Sequence, residues 1–384
     1  MSYEIVELSE LIATRTGSVD PAKFPNEEFE LFSIPAFDAG FAEIKRGNEI
    51  GSSKQCVAPG DVLLSKIVPH IRRAWIVGPT GGRRQIASSE WIVFRGDRIH
   101  AKYLRQVLVG DVFHAMFMNT VAGVGGSLLR ARPAHVAKIH VPLPPLSEQN
   151  RIAEILDRAE SLRRQRRAAL ALLDELTQST FLDMFGDPSE WPTQQLKSVA
   201  RDGDRINYGI VQPGHNTDGG VPMVRICDFD GMRVDKSKLV RVDQAIEAKH
   251  HRSRLLGNEV LFGCVGSIGE VALADSTMAG FNINRAVIRI PLSKKLTPLF
   301  LAHYLQSPHA MQYFRKETRT GSQVRINTKQ LEELQVPIPP EPRQRNFAKI
   351  AESVEQQKSI VEQQLAELDS LTASLQHRAF RGEL

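Results

Sequence analysis

Val141-Pro-Leu-Pro-Pro145 recurs as Val336-Pro-Ile-Pro-Pro340, an offset of 195 residues. The same offset lays Gln149 on Gln344, Ile155 on Ile350, Leu173 on Leu368, Leu176 on Leu371 and Phe185 on Phe380. A repeat constrains a chain more than any local propensity, because its period sets the architecture, and solenoids repeat every ~20 to 50 residues. A period of 195 makes the unit a whole domain followed by a helix, present twice.

The helical part of each copy carries a narrow apolar seam. Ile152, Ile155, Ala159, Leu162, Ala169, Leu173 and Leu176 fall at spacings built from threes and fours, with Arg166 as the polar member. The second copy aligns Phe347, Ile350, Val354, Val361, Leu368, Leu371 and Leu375, interrupted by Gln357 and Gln364. A seam this narrow predicts a helix that pairs with another helix, and the partner lies in the same chain. The polar glutamines read as positions that set register at some cost in stability. The expected division is residues 1–146, a first globular domain; 147–188, a long helix; 189–341, a second domain; and 342–384, a second long helix.

Each globular part reads as mixed α/β. Gly60 to Val68 is a turn into a buried strand, Arg73 to Gly78 its antiparallel return, Ser89 to Arg95 a further strand, and Lys102 to Phe117 helical. Gly257 to Leu273, Asn282 to Ile290 and Thr297 to Phe314 repeat that order. Glycine-bearing loops at Ala122–Ser127 and from Gly321 precede each proline entry, with Arg130 falling on Arg325.

Composition closes off several classes. The chain has 384 residues, 42% hydrophobic and 24% charged, which suits a water-soluble fold of two or three domains. No apolar run approaches the ~18 residues of a membrane span, and the start lacks signal-peptide character, so a cytoplasmic location is expected. Cys56, Cys227 and Cys264 are isolated from one another, which argues against a disulfide framework or a structural zinc site. A net charge of +5 permits nucleic-acid binding without requiring it.

Catalytic signatures are missing. There is no Asn/Asp-Pro-Pro-Tyr/Phe, no glycine-rich loop suited to S-adenosylmethionine, and no phosphate-binding G-x-x-x-x-G-K-S/T. The one nuclease-like fragment is Glu247-Ala-Lys249 downstream of Asp228 and Asp230; paired carboxylates could hold Mg²⁺, but the segment reads as a surface helix. No metal site is expected. A self-contained DNA nuclease and a coiled-coil adaptor without DNA specificity remain the alternatives to a binding role.

The motifs PLPPLSEQNRIAEIL, FLDMFGDP, EVLFGCVGSIGEVAL, GSQVRINTKQLEELQVPIPPEPRQ and the terminal AFRGEL, in this order and partly duplicated, resemble the specificity (S) subunit of Type I restriction-modification enzymes over essentially the whole chain. The resemblance implies a non-catalytic subunit with two target recognition domains, each reading one half of a split, asymmetric DNA sequence. It implies two long helices that pair as an antiparallel coiled coil with pseudo-two-fold symmetry, set the spacer and bind two methyltransferase subunits. S-adenosylmethionine, ATP and Mg²⁺ would belong to partner subunits, among them a restriction or motor subunit where one is present. Val68 to Arg73 departs from the pattern by replacing the glycine-bearing turn of the second hairpin, and Arg132-Pro133 stands where the second half has Asn327-Thr328.

Candidate DNA-contacting residues are basic and polar side chains on loops between strands, since Arg suits guanine and Gln or Asn suits adenine. In the second domain they are Arg319, Ser322, Gln323, Arg325 and Asn327; in the first, Lys66, His70, Arg72, Arg73, Ser127, Arg130 and Arg132. The plain alternative for each is a solvated loop charge. The four arginines within Arg163–Arg167 could follow phosphates, meet an acidic partner or form a solvated face, with Gln364 or Glu362 as possible partners of Arg166.

Overall fold

The computed structural model describes residues 3–122, 129–186, 188–266, 268–318 and 325–384. The chain divides into two compact units: Met1–Arg167 with Gln363–Leu384 is unit 1, and Ala168–Glu362 is unit 2. Each unit therefore holds one globular domain, the first half of the long helix that follows it and the last half of the other.

In unit 1 a five-stranded sheet contains the parallel pair Glu28–Phe32 and Arg84–Ala87. A three-stranded antiparallel sheet runs Ala74–Ile76, Val62–Ser65, Trp91–Phe94. Unit 2 has the parallel pair Val221–Val224 and Asn282–Ile283, and a four-stranded antiparallel sheet whose centre, Val260–Gly263, lies between Val287–Ile290 and Val271–Leu273. The mixed α/β expectation holds. The helical stretch at Lys102–Phe117 is two helices, Ala101–Val109 and Asp111–Met118, parted at Gly110. Its counterpart is likewise two, Pro298–Leu305 and Pro308–Thr318.

The repeated prolines end a strand and admit a helix. His140–Pro142 pairs antiparallel with Ile5–Glu7, and Gln335–Pro337 pairs with Thr193–Gln195, so the opening and closing strands of each domain lie together. Proline has no N–H to continue a ladder. The long helices then run Leu146–Phe185 and Glu341–Arg381, 40 and 41 residues, or about 60 Å each.

One glutamine fastens each helix start to its domain. Gln149 is 1% exposed; its Oε1 accepts the His100 N–H at 2.8 Å and its Nε2 donates to the carbonyls of Arg98 and Pro144 at 2.9 and 2.8 Å. Gln344, also 1% exposed, does the same with the Thr297 N–H at 2.8 Å and the carbonyls of Lys295 and Pro339 at 3.0 and 2.8 Å. Beside these clamps the Tyr103 hydroxyl donates to the Pro142 carbonyl and the Tyr304 hydroxyl to the Gln335 carbonyl.

The seam reading needs correction. Ile152, Ala159, Phe347 and Val354 are buried, and Ile155, Leu173, Ile350, Val361 and Leu368 are half-buried. Leu162, Leu176 and Leu371, however, are exposed by 37, 48 and 51%. Within each unit most of the burial on these helices comes from the core of the globular domain. In unit 1 the core takes in Ile152, Ala153 and Leu156 from one helix and Ala379 from the other, with Phe380 against Tyr103. In unit 2 it takes in Phe181 and Phe185 from one and Phe347 and Ala351 from the other. Inside each unit the contacts run in opposite directions: Arg163 ion-pairs Asp369 while Arg151 reaches the Leu384 carbonyl, and Asp174 ion-pairs Lys358 while Phe181 meets Phe347.

His303 is sealed in the unit 2 joint, 7% exposed, stacked on Phe181 and edge-on to Phe347. Burial pushes its pKa down to about 4; Lys358 adds to this and Glu355 opposes it. A depressed histidine pKa means the unfolded chain takes up the proton first, so stability is lost as pH falls from 6.5 towards 4. Over that window the contribution is about 3 kcal/mol. In urea titrations from pH 7 to 4, His303→Phe should flatten this loss; equal pH dependence in both proteins would contradict the assignment.

Candidate nucleic-acid interface

In both units the hairpin loop and the loop before the proline entry close on each other at one end of a sheet. In unit 1 an antiparallel bridge joins Ile67 to Arg130; the Ala131 N–H donates to the Lys66 carbonyl at 2.8 Å and the Val68 N–H to the Leu129 carbonyl at 3.1 Å. In unit 2 the bridge joins Val265 to Arg325, and the Ile326 N–H donates to the Cys264 carbonyl at 3.0 Å. The two loops proposed separately for each domain are thus neighbours.

The turns differ in strain. Gly266 holds a φ of 76° without a side chain to resist it. Val68, at the corresponding step of the first hairpin, holds a φ of 48°, a region hostile to a β-branched residue. Strain of this sort, ~1–3 kcal/mol, persists only where surroundings impose it, and it gathers at functional loops.

The candidate residues part company here. Lys66 is half-buried, and His70 and Arg132 are exposed. Arg130 is exposed but ion-paired with Glu90 at 3.3 Å. Arg72 donates to the Val109 carbonyl at 3.0 Å and ion-pairs Asp111 at 2.6 Å. Arg73 is a correction: it is 7% exposed and gives two 2.8 Å hydrogen bonds to Asp38, holding that carboxyl below its ordinary pKa. Asn327 is another. Its Oδ1 accepts the Gln330 N–H at 2.9 Å while Gln330 accepts the Asn327 N–H at 3.0 Å, so it caps the helix Thr328–Glu333. Arg325 is exposed, and among the described residues its side chain has no hydrogen bond or ion pair. Ser127, Arg319, Ser322 and Gln323 lie outside the described residues.

Two of the three nuclease-like carboxylates, Glu247 and Asp228, are paired with arginines, while Asp230 is exposed. Glu247 is 3% exposed rather than on a surface helix face, and accepts from Arg254 at 2.8 and 2.6 Å and from Asn282 at 3.2 Å. Arg254 holds its pKa down. Asp228, 1% exposed, accepts from the Arg225 guanidinium and N–H. Among the described residues no three His, Cys, Asp or Glu side chains are grouped to hold a metal. In the arginine cluster, Arg163 and Arg167 both face Asp369, while the buried Nε of Arg166 has no partner.

Residues 188–370 match the family model of the Type I restriction modification DNA specificity domain. The EcoBI specificity subunit of Escherichia coli is 31% identical over 279 residues, 64% of this chain and 58% of that one. The match thus spans less than two thirds of that relative. A chain from a structure of complex assembly and conformational transition of the type I R-M system superposes with a TM-score of 0.65 at 22% identity, covering 100% of this chain and 98% of the other. The S subunit of a Type-I restriction-modification system from M. genitalium gives 0.58 at 13%, over 99% and 96%. At those identities the structures speak for the fold. Just under half of the chain thus matches the DNA specificity domain family, and the likeness to the EcoBI subunit agrees with that match.

Proposed function

We propose that this chain is the non-catalytic, sequence-specific DNA-recognition subunit of a Type I restriction-modification complex. The observation that carries the reading is the repeated surface: in each unit a hairpin loop and a second loop meet at a sheet end, bridged Ile67 to Arg130 and Val265 to Arg325. Each unit reads one half of a bipartite, asymmetric double-stranded DNA target. The domains are 1–146 and 189–341, and the helical regions 147–188 and 342–384 pair as an antiparallel coiled coil with pseudo-two-fold symmetry. The opposed contact order inside each unit supports that pairing.

The helices, about 60 Å long, set the distance between half-sites, since major-groove sites on one DNA face recur every ~34 to 36 Å. Exposed Leu162, Leu172, Leu176, Ile360 and Leu371 on these helices support docking of two methyltransferase subunits. S-adenosylmethionine, ATP and Mg²⁺ act on partners, which include restriction subunits where the cell has them, and the complex works in the cytoplasm. Burial of Glu247 and Asp228 in arginine pairs speaks against the nuclease alternative.

The test is co-expression with Type I methyltransferase subunits followed by genome-wide mapping of methylated bases. One split motif should appear and vanish without this chain. Exchanging residues 189–341 for the equivalent part of a relative should change one half-site only. Sequence-random methylation, or a change in both halves, would defeat the reading.

A further inference from the structure

Building on the recognition role above, we propose that Arg285, which no sequence pattern singled out, is a base-reading residue of unit 2, with guanine its chemically matched partner. Val260–Gly263 and Val287–Ile290 are antiparallel with Gly263 opposite Val287, and the ladder continues past the strand ends: the Cys264 N–H donates to the Ala286 carbonyl at 2.9 Å. The Cys264 carbonyl, on the same edge of the strand, accepts the Ile326 N–H at 3.0 Å, and Val265 is bridged to Arg325. Ala286 and Arg325 thus occupy successive positions along one edge of the hairpin arm, and Arg285 sits beside them in the turn Asn284–Val287, which the Val287 N–H closes on the Asn284 carbonyl at 3.1 Å.

Both arginines are exposed, as is Val265 at 39%. Among the described residues neither guanidinium has a hydrogen bond or ion pair. That distinguishes them from Arg225, Arg233, Arg254 and Arg289 in the same unit, each held by a carboxylate. In unit 1 Arg130, the counterpart of Arg325, is ion-paired with Glu90. Two arginines carried on neighbouring segments favour an electron-rich partner such as guanine O6 and N7.

The backbone under Arg285 is fixed. Its N–H donates to the Ile210 carbonyl at 3.0 Å, the Ile210 N–H donates to the Ile283 carbonyl at 2.8 Å, and the Asn284 side chain accepts the Ala286 N–H at 3.0 Å. This closure requires Gly209, because a Cβ there would lie 1.8 Å from the Ile283 carbonyl oxygen. A guanidinium carried on so rigid a base suits readout of a base edge, where small displacements matter, better than loose contact with phosphate.

The experiment is selection from randomised duplex DNA by the full-length chain, comparing wild type with Arg285→Ala and Arg285→Lys. The expected result is one split motif for the wild type, and for both variants the same motif with discrimination at a single position of one half-site reduced about tenfold or more. An unchanged motif with uniformly weaker binding would make Arg285 a phosphate contact or a structural residue and overturn the proposal, as would no change at all. If the wild-type chain itself enriches no motif, the recognition role fails first and takes this inference with it.

Discussion

Replacing Arg289 with methionine should destabilise unit 2 by about 3–5 kcal/mol, the usual consequence of removing one partner from a buried ionic group. Arg289 is 2% exposed on the strand Val287–Ile290 and gives Asp204 two hydrogen bonds of 2.8 and 2.6 Å and Glu259 one of 3.2 Å. Glu259 is wholly buried and also accepts the N–H groups of Leu256, Gly257 and Asn258. With the guanidinium gone, those dipoles alone must hold a charge excluded from water. Burial raises the Asp204 pKa, but the bonds from Arg289 and the Arg205 N–H, with the charges of Arg289 and Arg201, together outweigh it and the net shift is downward. Stability from that pair is therefore present above the ordinary carboxylate range and lost as pH falls through the lowered value. Unit 1 offers the control: in the Arg83–Glu28 pair both side chains are exposed, 38 and 46%, so Arg83→Met should cost at most about 1 kcal/mol. Hydrogen exchange resolved by unit would measure both. Equal, small losses would mean that water reaches the Arg289 site.

Gln149→Leu and Gln344→Leu should each cost about 4 kcal/mol, because each strands one N–H and two carbonyls that the buried amide satisfies, at ~1–3 kcal/mol per group. Leucine nearly matches glutamine in size, so little of the loss would come from a cavity. The damage should be local. Exchange protection should fall in the first turns of the helix beginning at Leu146 for one variant and at Glu341 for the other, and the two losses should add, since the clamps share no partner. A loss below about 1 kcal/mol in either would mean that backbone groups near the proline entry find other partners.

The residues that sequence reasoning placed well owe their placement to local or repeated patterns. The proline entries, the long helices, the hairpins and the opposed loops follow from composition at short range and from the 195-residue offset. Asn327 had a readable signal that was passed over: Asn327-Thr-Lys-Gln330 has the spacing of a capping box. Arg72 and Arg73 had none, because their acids are Asp111 and Asp38, 39 and 35 residues away. Leu162, Leu176 and Leu371 satisfied a seam pattern yet are exposed, while Leu156, Phe181 and Ala351, off that pattern, are absorbed by the cores together with Ile152 and Phe347.

What the sequence alone determined is the plan: a domain and a long helix, twice, with a glutamine at each junction and polar loops on each domain. Periodicity and repetition carry that plan because they act through neighbours along the chain. Which arginines are spent on carboxylates and which stay open was decided only in three dimensions. Ion pairs form between segments brought together by the sheets, so Arg73 is consumed by Asp38 while Arg285 and Arg325 have no hydrogen bond or ion pair among the described residues.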